Sequence, residues 1–497
     1  MNSRKLVLRA LALIALALCA GFTALAQTST TGKVVGTVTD QTGAVVPGAQ
    51  MELINAATNA VQTATSDSSG GYVFATVQPG QYKLMVKMRG FRPATVSNLT
   101  VEVNKSADVP MHLEVGQDTE VVEVTATAAA QLQTTDSQVG NVLSTDEILR
   151  LPTLQRNATE LMNLQPATVT GGSGLAMRVA GGIDDQNTVT LDGLDITQSV
   201  VAGNTVVPTP ADSVEEFRAG VSNPNANFDR ASGANVTLIG RHGGNNFHGA
   251  LYEYLQNSDL NANTEESNRA GLPRPTIHDN RFGGRIGGPI IKNKTFFFAN
   301  YEGRRFESAS QVTRTVPTDT LKQGILEFRN ASGAIQQFNL QNAAVCGPAG
   351  NNPCDPRGLG VSPSVLDQWK LMPEPNYPGG AGDGLNTNGY LAIIPTPIQT
   401  DYGVIRLDHT FNEKMSFNGN YTYFRNITTG SGDISIINGN AQSVIQNPQR
   451  GQVIGTSLNY QLTPTMINTA RFGYVRDRNA ADAYSPTKAA AQLNIPG

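Results

Sequence analysis

Met415-Ser416-Phe417-Asn418-Gly419-Asn420-Tyr421-Thr422-Tyr423 is the stretch whose reading decides the fold. Met415, Phe417, Gly419, Tyr421 and Tyr423 share one parity, and Ser416, Asn418, Asn420 and Thr422 share the other. Successive side chains of a strand point to opposite faces. One face is therefore apolar and aromatic and the other polar, the pattern of a strand with lipid on one side and a lumen on the other. Just upstream, Ile405, Leu407 and Phe411 alternate with Arg406, Asp408 and Thr410, and Asn412-Glu413 makes a short turn, so the two stretches form a hairpin. The same pattern pairs Phe282 to Ile290 with Lys294 to Arg304 around Lys292-Asn293, and Gln452 to Leu462 with Met466 to Arg476 around Pro464. Short turns of this kind belong on the periplasmic side. With Asn246 to Gln256 added, about seven strands are legible, whereas barrels with a plugged lumen close at ~22. The alternative is a soluble sandwich, but outward Tyr and Phe and the contrast of short turns with long loops favour a membrane barrel.

Outward from this barrel part (243–497), the sequence divides into a signal peptide (1–26), a small β-sandwich (27–115), a linker (116–130) and a mixed α+β globule (131–242). The fold class expected is mainly β. In the first segment Arg4, Lys5 and Arg9 flank an apolar run from Leu6 to Ala20, and Ala24-Leu25-Ala26 offers a small-residue cleavage site, the build of an export signal. That run is shorter than the ~20 residues of a membrane helix. No later segment is apolar for long enough, so any membrane crossing falls to strands. The interval 305–399, rich in Pro, Gly and Asn, reads as a long extracellular loop, and loops of that length usually have a function. It holds Cys346 and Cys354, eight positions apart. An even pair in an exported, oxidising setting, with no His nearby in sequence, reads as a disulfide rather than a metal site.

Short β-runs at Val34 to Thr39, Gln50 to Ile54 and Gly70 to Phe74, separated by turn signals such as Asp40-Gln41-Thr42-Gly43, give the sandwich. Together with Pro47-Gly48-Ala49, Asp67 to Phe74, Pro79-Gly80-Gln81-Tyr82 and Gly90-Phe91, they resemble the carboxypeptidase regulatory-like domain, a transthyretin-like sandwich also grouped with carbohydrate-binding-like folds. These residues are turn glycines and core apolars, so the resemblance implies a fold and no catalytic site. In the globule, Thr145 to Leu151 and Asn157 to Leu164 have helical spacing, with Pro152 and Pro166 as breakers. Short β-runs follow at Ala176 to Ala180, Thr188 to Asp192, Val214 to Ala219 and Ala234 to Ile239. The ordered blocks Arg178-Val179-Ala180-Gly181-Gly182, Thr190-Leu191-Asp192-Gly193, Ser213 to Phe217 and Gly233 to Ile239 resemble the plug domain of TonB-dependent outer-membrane receptors. Asn245 to Gly249, Gly287 to Ile290 and Thr295 to Gly303 resemble the Oar-like subgroup.

That resemblance implies gated uptake: an external ligand, its identity open, docks on the outer loops, the plug closes the lumen, and the TonB energy-transducing complex pulls on an exposed box. The β-prone strip Glu120, Val121, Val122, Glu123, Val124 and Thr125 resembles such a box, with Glu123 where an apolar residue is common. A strip with unpaired backbone groups can add itself to a partner's sheet. The other reading makes it the last strand of the sandwich. Arg178, Asp192 and Glu215 or Glu216 are the plug residues expected to make charged contacts with the barrel wall, the other reading being that each is simply solvated. The chain ends at Asn494-Ile495-Pro496-Gly497 without a terminal aromatic strand, which reads as a fragment of a longer frame. A surface adhesion or carbohydrate-binding scaffold anchored by the barrel is the alternative function.

The remaining chemistry argues against other classes. A net charge of −4 with scattered Lys and Arg lacks the basic stripe that nucleic acid needs; outer-membrane lipid, the TonB complex and a ligand are the partners that the resemblance implies. His112, His242, His248, His278 and His409 show no zinc-type spacing, and Gly171-Gly172-Ser173-Gly174 lacks the strand-to-helix setting of a phosphate loop or a nucleophilic serine. No metal, cofactor or enzyme activity is expected.

Overall fold

The computed structural model describes residues 30–116, 122–125, 139–153, 155–170, 177–183, 186–198, 205–222, 232–263, 265, 268, 274, 277–340, 345–346, 352–353, 361–377, 381–430, 434–437, 440–463 and 466–483. The expected signal peptide lies outside them, as do Glu120, Val121 and Cys354.

The N-terminal domain is a β-sandwich. Its strands are β1 (Gly32–Asp40), β2 (Gln50–Asn55), β3 (Val61–Thr65), β4 (Gly71–Val77), β5 (Gly80–Lys87), β6 (Ala94–Val101), β7 (Ser106–Asp108), β8 (Met111–Leu113) and β9 (Val122–Thr125). One sheet runs β4-β1-β7, with β8 also on β1, and the other runs β3-β2-β5-β6-β9. Alternate residues face the shared core, among them Val34, Val38, Met51, Leu53, Leu84, Val86, Met111 and Leu113. Two of its turns are tied by aspartates: Asp40 accepts from the N–H groups of Thr42 and Ala44 at 2.8 and 2.9 Å. Asp67 does the same for Ser69 and Gly71. The motifs around these residues shape turns, as Asx geometry favours.

The globule that follows holds β10 (Val139–Ser144), α1 (Thr145–Arg150), a 3₁₀ turn (Ala158–Leu164), β11 (Thr168–Thr170), β12 (Met177–Val179), β13 (Thr188–Leu191), β14 (Leu194–Asp195), β15 (Val214–Ser222) and β16 (Asn235–Gly240). Its main sheet is ordered β10-β15-β16-β13-β14. Ile148, Leu161, Phe217, Val236 and Leu238 fill its core. That core also includes Phe424 and Val453, which belong to the barrel wall.

The wall is a long antiparallel sheet of β17 (His248–Asn257), β18 (Ile277–Ile291), β19 (Thr295–Pro317), β25 (Ile398–Asn412), β26 (Met415–Thr429), β29 (Ile445–Thr463) and β30 (Met466–Asn479), hydrogen-bonded in that order. Tyr421 pairs with Ile405 and Ile454, and all three are exposed on the outer face. Thr422 and Phe424, on the other parity, are buried against the globule. Beyond the membrane-length part, β19 continues to Pro317 and pairs with β24 (Thr387–Pro395). Between them lie α2 (Asp319–Lys322), the hairpin β20 (Ile325–Arg329) and β21 (Ile335–Asn339), the pair β22 (Val345–Cys346) and β23 (Asn352–Pro353), and α3 (Pro363–Lys370). The interval 305–399 thus has secondary structure of its own, and strands occupy both of its ends. A small hairpin, β27 (Ile434–Ile437) with β28 (Asn440–Ser443), and β31 (Asp482–Ala483) on β29 complete the long-loop end.

Candidate functional site

The globule sits against the polar face of the wall, and buried charges make the junction. Asp192, at the turn after β13 with φ +49°, accepts from Arg406 Nη1 at 3.1 Å, Asn420 Nδ2 at 2.5 Å and its neighbour Gly240 N–H at 3.0 Å. Arg406 also donates to the Gly240 carbonyl at 2.9 Å and grips Asp408 through Nε and Nη2 at 3.0–3.1 Å. A planar guanidinium with five donors can serve all three acceptors at once. Asp212 forms a second node, taking Arg156 at 3.0 Å from its own domain and Arg285 at 2.7 Å from β18. Further links are Arg281 to the Gln155 carbonyl, and Gln198 to Asp477 at 2.6 Å.

Close approach of the two bodies also depends on wall glycines. A Cβ at Gly451 would collide with the Val206 carbonyl, and one at Gly473 with Leu194. Higher on the wall, a cavity of about 270 Å³ opens toward the long-loop end, lined by Arg156, Arg281, Glu302, Arg304, Tyr402 and Asn426 among others.

The other expected plug residues are placed differently from Asp192. Arg178 lies exposed on the β11–β12 hairpin. Glu215 faces His242 at 3.2 Å. Burial alone would raise the Glu215 pKa, but the charges of His242, Arg406 and Arg241 hold it below its ordinary value. The Glu215 charge in turn pushes His242 up to about 9, which keeps the imidazole cationic at neutral pH. Glu216 points away from the wall and meets the sandwich: its carboxylate accepts from the Val103 N–H at 2.8 Å, while Arg218 donates to the Val103 carbonyl at 2.8 Å. Two residues apart on β15, these side chains share a face and hold both polar groups of one peptide residue. Neither Val103 nor Arg218 carried a sequence signal.

The sandwich also touches the short-turn end of the wall: Asn245 N–H donates to the Ala57 carbonyl at 2.8 Å, Asn59 to Asn293 at 3.2 Å, and Arg471 to Thr30 at 2.7 Å. Strand β9 pairs in parallel with β6, Ala94 beside Val122 through Ser97 beside Thr125. Cys346 pairs with Asn352 in the β22–β23 ladder, while the pairing expected with Cys354 falls outside the described residues. Among those residues, no three His, Cys, Asp or Glu side chains are grouped to hold a metal.

Burial pushes Glu216 up to about 8, against the lowering effect of the Val103 N–H and Arg218. With the docked pKa above the ordinary 4.5, docking takes up a proton between those two values. Docking is therefore strongest below about 4.5 and weakens as pH rises toward 8, by up to ~tenfold per pH unit for one linked proton. Hydrogen exchange across residues 102–105 should speed up more from pH 6 to 8 than intrinsic exchange does. Glu216→Gln should remove that excess; an equal excess in the variant would exclude Glu216 as its source.

A plug-like body filling the polar side of an outward-apolar sheet defines an outer-membrane barrel protein. Residues 239–497 match the outer membrane beta barrel domain, which is over half of the chain, and the chain belongs to that family. Residues 33–114 match the carboxypeptidase regulatory-like domain. The TonB-dependent transporter Oar of Myxococcus xanthus is 25% identical over 322 residues, covering 62% of this chain and 29% of that protein. The chain therefore spans less than a third of the length of this curated relative. Similar solved structures include the outer membrane transporter YddB of Escherichia coli, 10% identical with a TM-score of 0.43, covering 68% of this chain and 39% of that one. Another is the ferric enterobactin receptor PfeA of Pseudomonas aeruginosa, 12% identical with a TM-score of 0.40, covering 68% and 40%. These relatives are transporters and receptors, not enzymes.

Proposed function

We propose that this chain belongs to a TonB-dependent receptor that takes up an external ligand across the outer membrane at the expense of inner-membrane energy. The observation that carries the reading is the plug-like body held to the inner wall by the buried Asp192–Arg406–Asp408 and Asp212–Arg285 contacts. Such a body closes a lumen and must be shifted for transport, which calls for an external source of work. The similarity to a TonB-dependent transporter supports the same partner. In this reading, the ligand docks at the long-loop end, above the cavity between plug and wall. Glu120 to Thr125 is the segment that adds to the partner's sheet.

The test is removal of residues 120–125 from the full receptor in its host. Accumulation is followed over a panel of ferric siderophores, cobalamin, oligosaccharides and peptides. The expected outcome is protonophore-sensitive accumulation of at least one class in the parent and its loss in the deletion, with surface binding retained. Accumulation that persists after deletion would overturn the reading. Surface binding without energy-dependent accumulation in the parent would favour the anchored scaffold instead.

A further inference from the structure

Strand β6 has two attachments. Its edge carries β9 in parallel register, and its chain runs on past Val101 to Val103, the residue held between Glu216 and Arg218. We propose that the sandwich is a docked cap at the short-turn mouth of the barrel and that its β6 edge is a storage site for Val122–Thr125, from which a strand-adding partner must take the segment. This rests on the reading of that segment as the one the TonB protein engages.

Three observations support it. First, the β6–β9 ladder spans four residues among those described and is parallel, the slightly weaker geometry per residue, so exchanging it for an antiparallel or longer ladder on another sheet is energetically accessible. Second, a bare β6 would present unpaired backbone groups, a template for unwanted pairing, and β9 covers it. Third, the hydrogen bonds that hold the sandwich lie at Thr30, Ala57, Asn59 and Val103, and the Val103 side chain, though fully buried, joins neither apolar core. On the Glu216–Arg218 face of the globule's main sheet, Asn235 and Thr237 are buried with side-chain atoms that have no hydrogen-bond partner among the described residues. Buried polar groups left unpaired subtract from the stability of the docked state. A cap held by polar contacts separates more readily than one held by an apolar core.

The experiment is hydrogen exchange on the unmodified receptor in detergent, with and without the purified periplasmic domain of the host's TonB protein. Alone, the receptor should protect amides of Val122–Thr125 and those of Ala94–Ser97 that face them. With the TonB domain bound, Val122–Thr125 should stay protected while the Ala94–Ser97 amides facing them exchange about tenfold faster or more. Free exchange of Val122–Thr125 in the receptor alone overturns the storage site. Unchanged protection of Ala94–Ser97 with the TonB domain bound overturns the hand-over and leaves the proposed function standing. Failure of the TonB domain to bind at all removes both.

Discussion

Arg406→Ala is expected to loosen the globule, the proposed plug, from the barrel wall more than any other single substitution in the junction. The guanidinium is 8% exposed, beside Asp192 and Asp408 carboxylates that are 13% and 12% exposed. Alanine removes every charge-assisted bond between them and also the donor to the Gly240 carbonyl. Two carboxylates then remain in a poorly solvated site with their cation gone, and breaking a buried pair from one side costs about 3–5 kcal/mol. Arg406→Lys should recover part of the loss, because an ammonium keeps the charge but lacks the planar fork that serves several acceptors. In outer-membrane vesicles, the readout is the urea concentration at which the plug becomes open to trypsin. An alanine variant whose plug resists urea as well as the parent's would show that the charges are incidental to its seating.

Gly451→Val should have the next largest effect, through shape rather than charge. Even a Cβ at this position would overlap the Val206 carbonyl and lie 2.9 Å from Val207 Cγ1, both on the plug. Overfilling a packed junction costs about 1–3 kcal/mol, and here the neighbour that must yield is backbone. Gly403→Ala is the control on the outer face, where the nearest atom to a new Cβ is Asn300 O at 4.0 Å; its effect should stay within about 0.5 kcal/mol. The same trypsin assay ranks the three proteins, and equal plug resistance across them would show that close approach at Gly451 is not required.

Residue alternation was enough to read the barrel strands. Tyr421 and Ile405 stand on the outer face and Thr422 and Asn420 on the inner, as period two requires, and the hairpin turns follow from runs such as Asn412-Glu413. The rule that inner positions are polar fails at Phe296, Phe298 and Phe424, which share the inner parity and are buried. They face protein instead of water, so apolar side chains are favoured there. Glu215 and Glu216 show the limit in one dipeptide. Neighbours on a strand must point to opposite faces, and that much is local. Which face meets His242 and the wall, and which meets Val103 of the sandwich, depends on chain distant in sequence.

The segment at Val122–Thr125 is similar. Its composition makes it a strand wherever a sheet edge is free. Strand tendency, turns and the lipid-facing parity were therefore determined by the sequence alone, because they depend on residues within a few positions of one another. Apart from Arg406 with Asp408, two positions apart on one strand, the partners of the buried charges and the edge that receives β9 were decided only by the tertiary structure, because those contacts join groups tens to hundreds of residues apart, and no local pattern encodes that meeting.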